Sequence, residues 1–374
     1  MGCMEPNDRR RLKTPQGTES FFHEEAYRHR QLLRMTEDHF TSWGYLPVLT
    51  PVFDYFETYR SLLNRGQEER SYRFPDRDGE LLMLRSDITL FLAKQMGLSH
   101  HPGTLPRRLW YADSIIRHQE EEDISSNEFF QSGAELLGLS GRDGDLEVLM
   151  LLHDLLESMR LPTWRLHIGS RAVLDAVLDG RADATAAGDL LEIRDRDGLR
   201  RLFADSGVAD AERRADLLLF LGTAAEFAQA SPELGMGLGK AVDAALAELN
   251  GLAADLSGTA PMGKVRIDLS EHGGQPYYTG FTVRAFVEGA NAAVASGGRY
   301  DDLLGAFGPP VPAAGFSLMM RKIEPLSGYA AEAAESDPVF VASGDDFASR
   351  YADAVKRRGS GQRVALTGKT GGTP

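Results

Sequence analysis

Between Pro106 and Gly138 the chain reads PRRLWYADSIIRHQEEEDISSNEFFQSGAELLG. Two apolar, strand-length runs flank an acidic tip, a pattern that predicts a hairpin and sets a β-sheet at the centre of the fold. Arg117 lies on the first run, and Gln131 and Glu135 on the second. Gln131 and Glu135 are four residues apart, so on a strand they share one face. A guanidinium, an amide and a carboxylate on one sheet face make a site for a small zwitterion. The plainer alternative is that Gln131 and Glu135 satisfy neighbouring backbone groups or Arg117.

The flanking segments supply the rest of the architecture. Residues 1–19 are polar and read as an irregular leader. From Phe22 to Trp43 the residues Leu32, Met35, His39, Phe40 and Trp43 recur near the helical period, and Gly44 is a stop. Pro47 and Pro51 then bracket an extended piece suited to an edge or interface strand. Tyr72–Phe74 and Leu81–Leu84 read as a short hairpin around Asp76–Gly79. Ser86 or Asp87 is placed to cap a helix containing Leu90, Phe91 and Met96. Residues 144–160 predict another helix, and Trp164, Leu166 and Ile168 alternate as a strand. From Arg171 to Leu256 the composition turns to Ala, Leu, Asp and Arg without strand alternation, the mark of an inserted helical subdomain. Strand patterns resume at Val265, Ile267 and Leu269 and run through Tyr277 to Phe286. The run AAGFSLMMRKI reads as a strand entering a helix. After a linker at Glu332–Asp337, VFVA and RVAL read as strands around a helix with Phe347, Tyr351 and Val355. This order predicts an α+β fold, an antiparallel sheet flanked by helices. The core is expected at 1–170 and 257–325, the helical insertion at 171–256 and a small C-terminal α/β segment at 338–374.

Charge and composition narrow the function. The chain of 374 residues has a formal net charge of −14, and such a field repels phosphates and weighs against nucleic acid as the main partner. The single cysteine, Cys3, permits no internal disulfide and no cysteine metal cluster. No apolar run approaches the ~18 residues of a membrane span, and no signal segment opens the chain, so no membrane association and a cytoplasmic location are expected. GKT at 368–370 ends like a phosphate loop, but the glycine needed five positions earlier is Arg363. GMGLGK at 235–240 follows no strand and reads as a turn. His100 and His101 are adjacent, which suits no metal on one helix or strand face. No metal and no cofactor are expected.

Four segments, in order, resemble the class II histidyl-tRNA synthetase family. They are Phe22–Thr58, LRSDIT at 84–89, the Pro106–Gly138 stretch, and the series PYYTG at 276–280, SGGRYDDL at 296–303 and AAGFSLMMRK at 313–322. The resemblance spans about residues 20–323 and implies a class II aminoacyl-tRNA synthetase-like sheet, with the first segment forming a dimer face. It implies that Asp87 and Thr89 hold the α-ammonium of histidine and that Arg117 meets its carboxylate. Gln131, Glu135, Tyr277 and Tyr278 would surround the ammonium and imidazole, with Tyr300 close by. The tyrosine pair serves equally well as core packing with locally paired hydroxyls.

The activation machinery departs from the family. Its catalytic arginine falls at Gly273, the acid before its paired tyrosines at Pro276, and its third-motif arginine at Lys322, which lacks a planar fork. The loop that is basic in the synthetases reads Glu120–Asp123. Losing one preorganised donor to a developing charge costs about 3–4 kcal/mol. About fifty residues follow the third motif, where an anticodon-binding domain of roughly a hundred residues is expected. The combination is similar to a paralogous family, the regulatory subunits of the short-form ATP phosphoribosyltransferase of histidine biosynthesis. That resemblance implies a non-catalytic chain, a homodimer within a hetero-octamer. It would activate the short catalytic subunit and confer feedback inhibition by L-histidine, a coupling usually of ~1–3 kcal/mol. The alternatives are a histidyl-tRNA synthetase-like ligase and a free-standing histidine-binding sensor.

Overall fold

A computed structural model describes residues 17–18, 20–99, 104–118, 127–259, 262–335 and 339–366. The leader up to residue 16, Cys3, His100 and His101, the acidic tip Glu120–Asp123 and GKT at 368–370 lie outside the described residues. Helix α1 (His23–Ser42) buries Leu32, Leu33 and Phe40. Strands β1 (Leu46–Pro47) and β2 (Phe53–Tyr55) follow, then helices α2 (Phe56–Tyr59) and α3 (Arg65–Arg70). The short hairpin forms as β3 (Arg73–Pro75) and β4 (Leu81–Leu84), joined by β2 in the order β2-β4-β3. Asp87 caps α4 (Ile88–Ser99) by accepting the Leu90 amide at 3.4 Å.

The long hairpin is β5 (Arg107–Ile116) and β6 (Glu128–Leu137), paired from Arg107 opposite Leu137 to Ile116 opposite Glu128. Helix α5 (Arg142–Ser158) and strand β7 (Trp164–Ser170) follow. The segment after β7 folds as α6 (Arg171–Leu178), α7 (Ala184–Glu192), α8 (Arg196–Asp205), α9 (Ala211–Leu218), β8 (Leu221–Gly222), α10 (Ala224–Gly235) and α11 (Lys240–Thr259). The chain then returns through β9 (Val265–Asp268), β10 (Phe281–Val287), β11 (Ala295–Arg299) and β12 (Ala313–Met319) into α12 (Met320–Ile323) and α13 (Gly328–Glu335). A parallel pair, β13 (Val339–Val341) and β14 (Arg363–Ala365), flanks α14 (Phe347–Gly359).

Nine strands make the main sheet, in the order β1-β5-β6-β12-β11-β10-β7-β9-β8. The expected antiparallel pairing holds through its centre, but β1 with β5 and β7 with β9 are parallel. Parallel neighbours need a long crossover, and between β7 and β9 the run α6–α11 provides it. That run also contributes β8, antiparallel to β9 at the sheet edge, so it is not wholly helical. Two residues are too few for alternation to register. The strand expected through Tyr277–Phe286 starts only at Phe281. Gly273 and Gly274 take φ of +90° and +65° and Pro276 follows, which leaves Tyr277 and Tyr278 on a loop.

The two sheet faces differ. Ala134, Leu136, Ile168, Val283, Phe316 and Leu318 face an apolar cluster with α1, α5 and the α6–α11 run, including Phe40, Leu152, Phe203 and Phe227. The opposite face carries Glu135, with Gly315, Gly298, Thr282 and Gly169 successively beside it in register. This row is small for a reason. A Cβ at Gly315 would come within 1.6 Å of the Glu135 carboxylate and 2.6 Å of the Ala134 carbonyl. Gly315→Ala is therefore expected to cost about 1–3 kcal/mol, because the backbone of the adjacent strand cannot retreat. Urea unfolding checks this, and an unchanged midpoint would contradict it.

Candidate amino-acid-binding site

Glu135 projects from β6 into this polar face and is 1% exposed. Its Oε1 accepts the Thr89 hydroxyl at 2.7 Å and the Tyr111 hydroxyl at 3.3 Å, and its Oε2 accepts the Tyr300 hydroxyl. Thr89 arrives on the first turn of α4, Tyr111 on the neighbouring strand and Tyr300 directly after β11. Burial pushes the Glu135 carboxyl up to about 7, the hydroxyl donors oppose the rise and the Asp87 charge adds to it. Burial and nearby carboxylates hold the phenols of Tyr111, Tyr277 and Tyr300 well above their usual range, so they stay neutral.

Asp87 is also buried, and its Oδ2 lies 3.5 Å from the Arg117 guanidinium. Burial raises its pKa against the pull of Arg117. Arg117, just beyond β5, donates through Nε to the Ser86 carbonyl at 2.6 Å. Gln131 works from behind. Its Oε1 accepts the amide of Ile88, the first residue of α4, at 3.2 Å. That satisfies one of the helix-start donors left without an intrahelical partner and fixes the turn that presents Asp87 and Thr89.

Two adjoining cavities open on these groups. The smaller is lined by Asp87, Thr89, Glu135, Tyr277, Tyr278 and Tyr300, among others. The larger, of about 400 Å³, is lined by Asp87, Arg70, Arg117, Arg171, His272 and further polar residues. Asp87 and Gln275 line both, and Gln275 is held by the side-chain amide of Gln67. The structure thus gathers five of the seven sequence-derived residues in one pocket, sets Arg117 at its neighbour and leaves Gln131 lining neither. Tyr111 escaped the sequence reading. Its signal was even spacing from Arg117 along one strand, obscured because an aromatic in an apolar run reads as core.

The positions that the resemblance sets against two activating arginines can be located. Gly273, at φ +90°, sits where any Cβ would lie 2.4 Å from the ring of Tyr278. A side chain at 273 and Tyr278 in its present place exclude each other. Lys322 lies in α12 and lines neither cavity. Elsewhere, ligand atoms of His167, Asp268 and Glu271 fall within 4.8 Å of one another. The His167 ring nitrogen bonds Asp268 at 3.0 Å, Arg194 reaches Asp268 at 3.1 Å, and Arg284 reaches Glu271 at 3.0 Å. Guanidinium groups already supply the charge that a cation would bring.

The histidyl-tRNA synthetase family profile matches residues 17–323. The ATP phosphoribosyltransferase regulatory subunit of Moorella thermoacetica is 34% identical over 364 residues, covering 96% of this chain and 93% of its own length. The corresponding subunit of Symbiobacterium thermophilum is 30% identical over 364 residues, covering 95% and 91%. The chain belongs to this histidyl-tRNA synthetase-like family of regulatory subunits. A solved ATP phosphoribosyltransferase regulatory subunit/histidyl-tRNA synthetase from Bacillus halodurans matches the fold with a TM-score of 0.82 at 25% identity, covering 96% of this chain and 94% of that one. A Nostoc histidyl-tRNA synthetase, 19% identical, shares the fold with a TM-score of 0.76, covering 96% and 87%.

In this regulatory-subunit chain the ionisation of Glu135 is tied to folding. Its folded pKa, about 7, lies above the ordinary 4.5. Between those values the folded state keeps a proton that the unfolded state has lost, so Glu135 contributes less stability as pH rises through about 7. Relative to Glu135→Gln, the unliganded wild type should lose about 2 kcal/mol between pH 5.5 and 8.5. Urea unfolding at the two pH values reads this, and parallel profiles would count against it.

Proposed function

We propose that the chain is the non-catalytic regulatory subunit of a short-form ATP phosphoribosyltransferase, activating the catalytic subunit and making it sensitive to L-histidine. The observation that carries the histidine part is the buried Glu135 carboxylate, whose donors are all side-chain hydroxyls. With the hydroxyls donating, its remaining capacity is to accept, and an imidazole N–H is a donor of the right kind. Asp87 and Thr89 suit the α-ammonium and Arg117 the carboxylate, while Gln131 acts indirectly by fixing α4. Tyr277 and Tyr278 close the pocket over the ring. An apolar amino acid would leave Glu135 buried without a ligand partner, which disfavours it strongly.

Several features support a regulatory rather than a synthetase role. Gly273 brings no guanidinium to the site, and the ring of Tyr278 occupies the space a side chain there would need. Lys322 stands apart from both cavities. Leu46, Leu49, Val52, Phe53 and Tyr55 are exposed around β1 and β2. So many exposed apolar side chains on one segment suit an interface, and a homodimer within a hetero-octamer covers them. Among the described residues no helix is long and apolar enough to cross a membrane, and a cytoplasmic location fits a partner of a biosynthetic enzyme.

Mixing the full chain with a short catalytic subunit should give a larger complex on size exclusion and raise phosphoribosyl transfer to ATP, with L-histidine reversing the gain. Absence of both co-elution and a rate change would overturn the regulatory reading. Glu135→Ala should weaken L-histidine binding by about tenfold or more in calorimetry, as expected for the loss of a charged hydrogen bond. Unchanged affinity would place histidine elsewhere.

A further inference from the structure

Arg85 is among the largest fully buried side chains, at 1% exposure, and stands two residues before Asp87. Its guanidinium reaches in two directions. Nη1 donates to the Thr50 carbonyl and hydroxyl, both at 2.9 Å, and at 3.4 Å to the Pro51 carbonyl. Nε and Nη2 donate to the Ser114 carbonyl on β5 at 3.1 and 2.7 Å, and Nη2 meets Asp113 at 2.9 Å. Its backbone repeats the pattern. The Arg85 amide donates to the Val52 carbonyl at 2.8 Å, and its carbonyl accepts the Ile116 amide at 2.9 Å. The next residue, Ser86, is held by Arg117, and Asp87 and Thr89 follow in the site.

The Thr50–Val52 segment that grips Arg85 lies within the apolar face, where Leu49 is 82% and Val52 52% exposed. A second copy of this chain is the occupant that the charge favours. Leu46–Phe53 contains no charged residue, and the neighbouring Asp54 is neutralised by Lys94 at 2.7 Å. In a chain of net charge −14, such a neutral patch is where two copies meet with least repulsion.

We propose that Arg85 is the positioning residue through which self-association at the Leu46–Tyr55 face tightens histidine binding. The proposal rests on the histidine reading above. Covering the face fixes the Thr50 and Pro51 carbonyls. The planar fork of Arg85 transmits that order to Ser86–Thr89, and a pre-ordered site loses less freedom when its ligand binds. Linkage then requires histidine to tighten the dimer by the same factor.

The test combines sedimentation equilibrium of the full chain, with and without saturating L-histidine, and calorimetry of L-histidine binding. In the wild type, histidine should strengthen the dimer about fivefold or more. Leu49→Asp should be monomeric and bind histidine weaker by a similar factor. Arg85→Lys keeps the charge but not the fork, and should dimerise with a histidine effect near one. Should Arg85→Lys not fold, Thr50→Val removes one of its acceptors and should reduce the effect. A factor of one in the wild type overturns the coupling, and a dimeric Leu49→Asp overturns the face. A full effect in Arg85→Lys, or in Thr50→Val if it stands in, overturns the role of Arg85. No histidine binding at all would overturn the histidine reading and the coupling with it, whereas binding without linkage overturns the coupling alone.

Discussion

A carboxylate with almost no exposure needs its lone pairs satisfied, and around Glu135 three hydroxyls from three separate parts of the chain converge to do so. Burial of the charge is costly, and that cost is offset only if the donors are held in place. Thr89 is held by the start of α4, Tyr111 by β5 and Tyr300 by the end of β11. The side chains beside them are kept small, with Gly315 next to Glu135 and Gly298 next to Gly315 in register. Much of the polar face can be understood as the surroundings that one buried acid demands.

The same site is uneven in what its positions supply. Groups suited to an amino acid sit close together, while Gly273 and Lys322, which the resemblance sets against two activating arginines, bring no guanidinium to them. Gly273 is the more telling of the two, because Tyr278 fills the volume a side chain would need. The left-handed backbone at 273 adds a second barrier, since residues with a Cβ seldom adopt it. The glycine at 273 and the present position of Tyr278 are thus one structural fact.

Much of this was legible in the sequence where local rules apply. The spacing of Gln131 and Glu135 put both on one strand face, and Ser86 or Asp87 fell at a helix cap by type and position, of which Asp87 takes the role. What stayed hidden depends on distant contacts. The Gln131 amide oxygen serves the start of α4, a contact between segments far apart in the chain that no local period encodes. Tyr111 reads as core because its ring is core and only its hydroxyl is not. The parallel pairings escaped because strand direction follows from the path of the connecting chain and not from the strand's own residues. The run from Tyr277 to Phe286 alternates well enough for a strand, but the glycines and proline before it delay the strand to Phe281.

The parallel pairing of β7 with β9 gives the α6–α11 run a standing that the word insertion conceals. A loop between antiparallel strands can shrink to a turn, whereas a crossover must carry the chain back along the full length of the strand. Excising this run would force β9 either to reverse or to leave β7, and would take away β8, the edge strand that β9 pairs with. The segment is therefore a splice whose length geometry bounds from below. Over evolutionary time its surface is open to revision, and its removal is not.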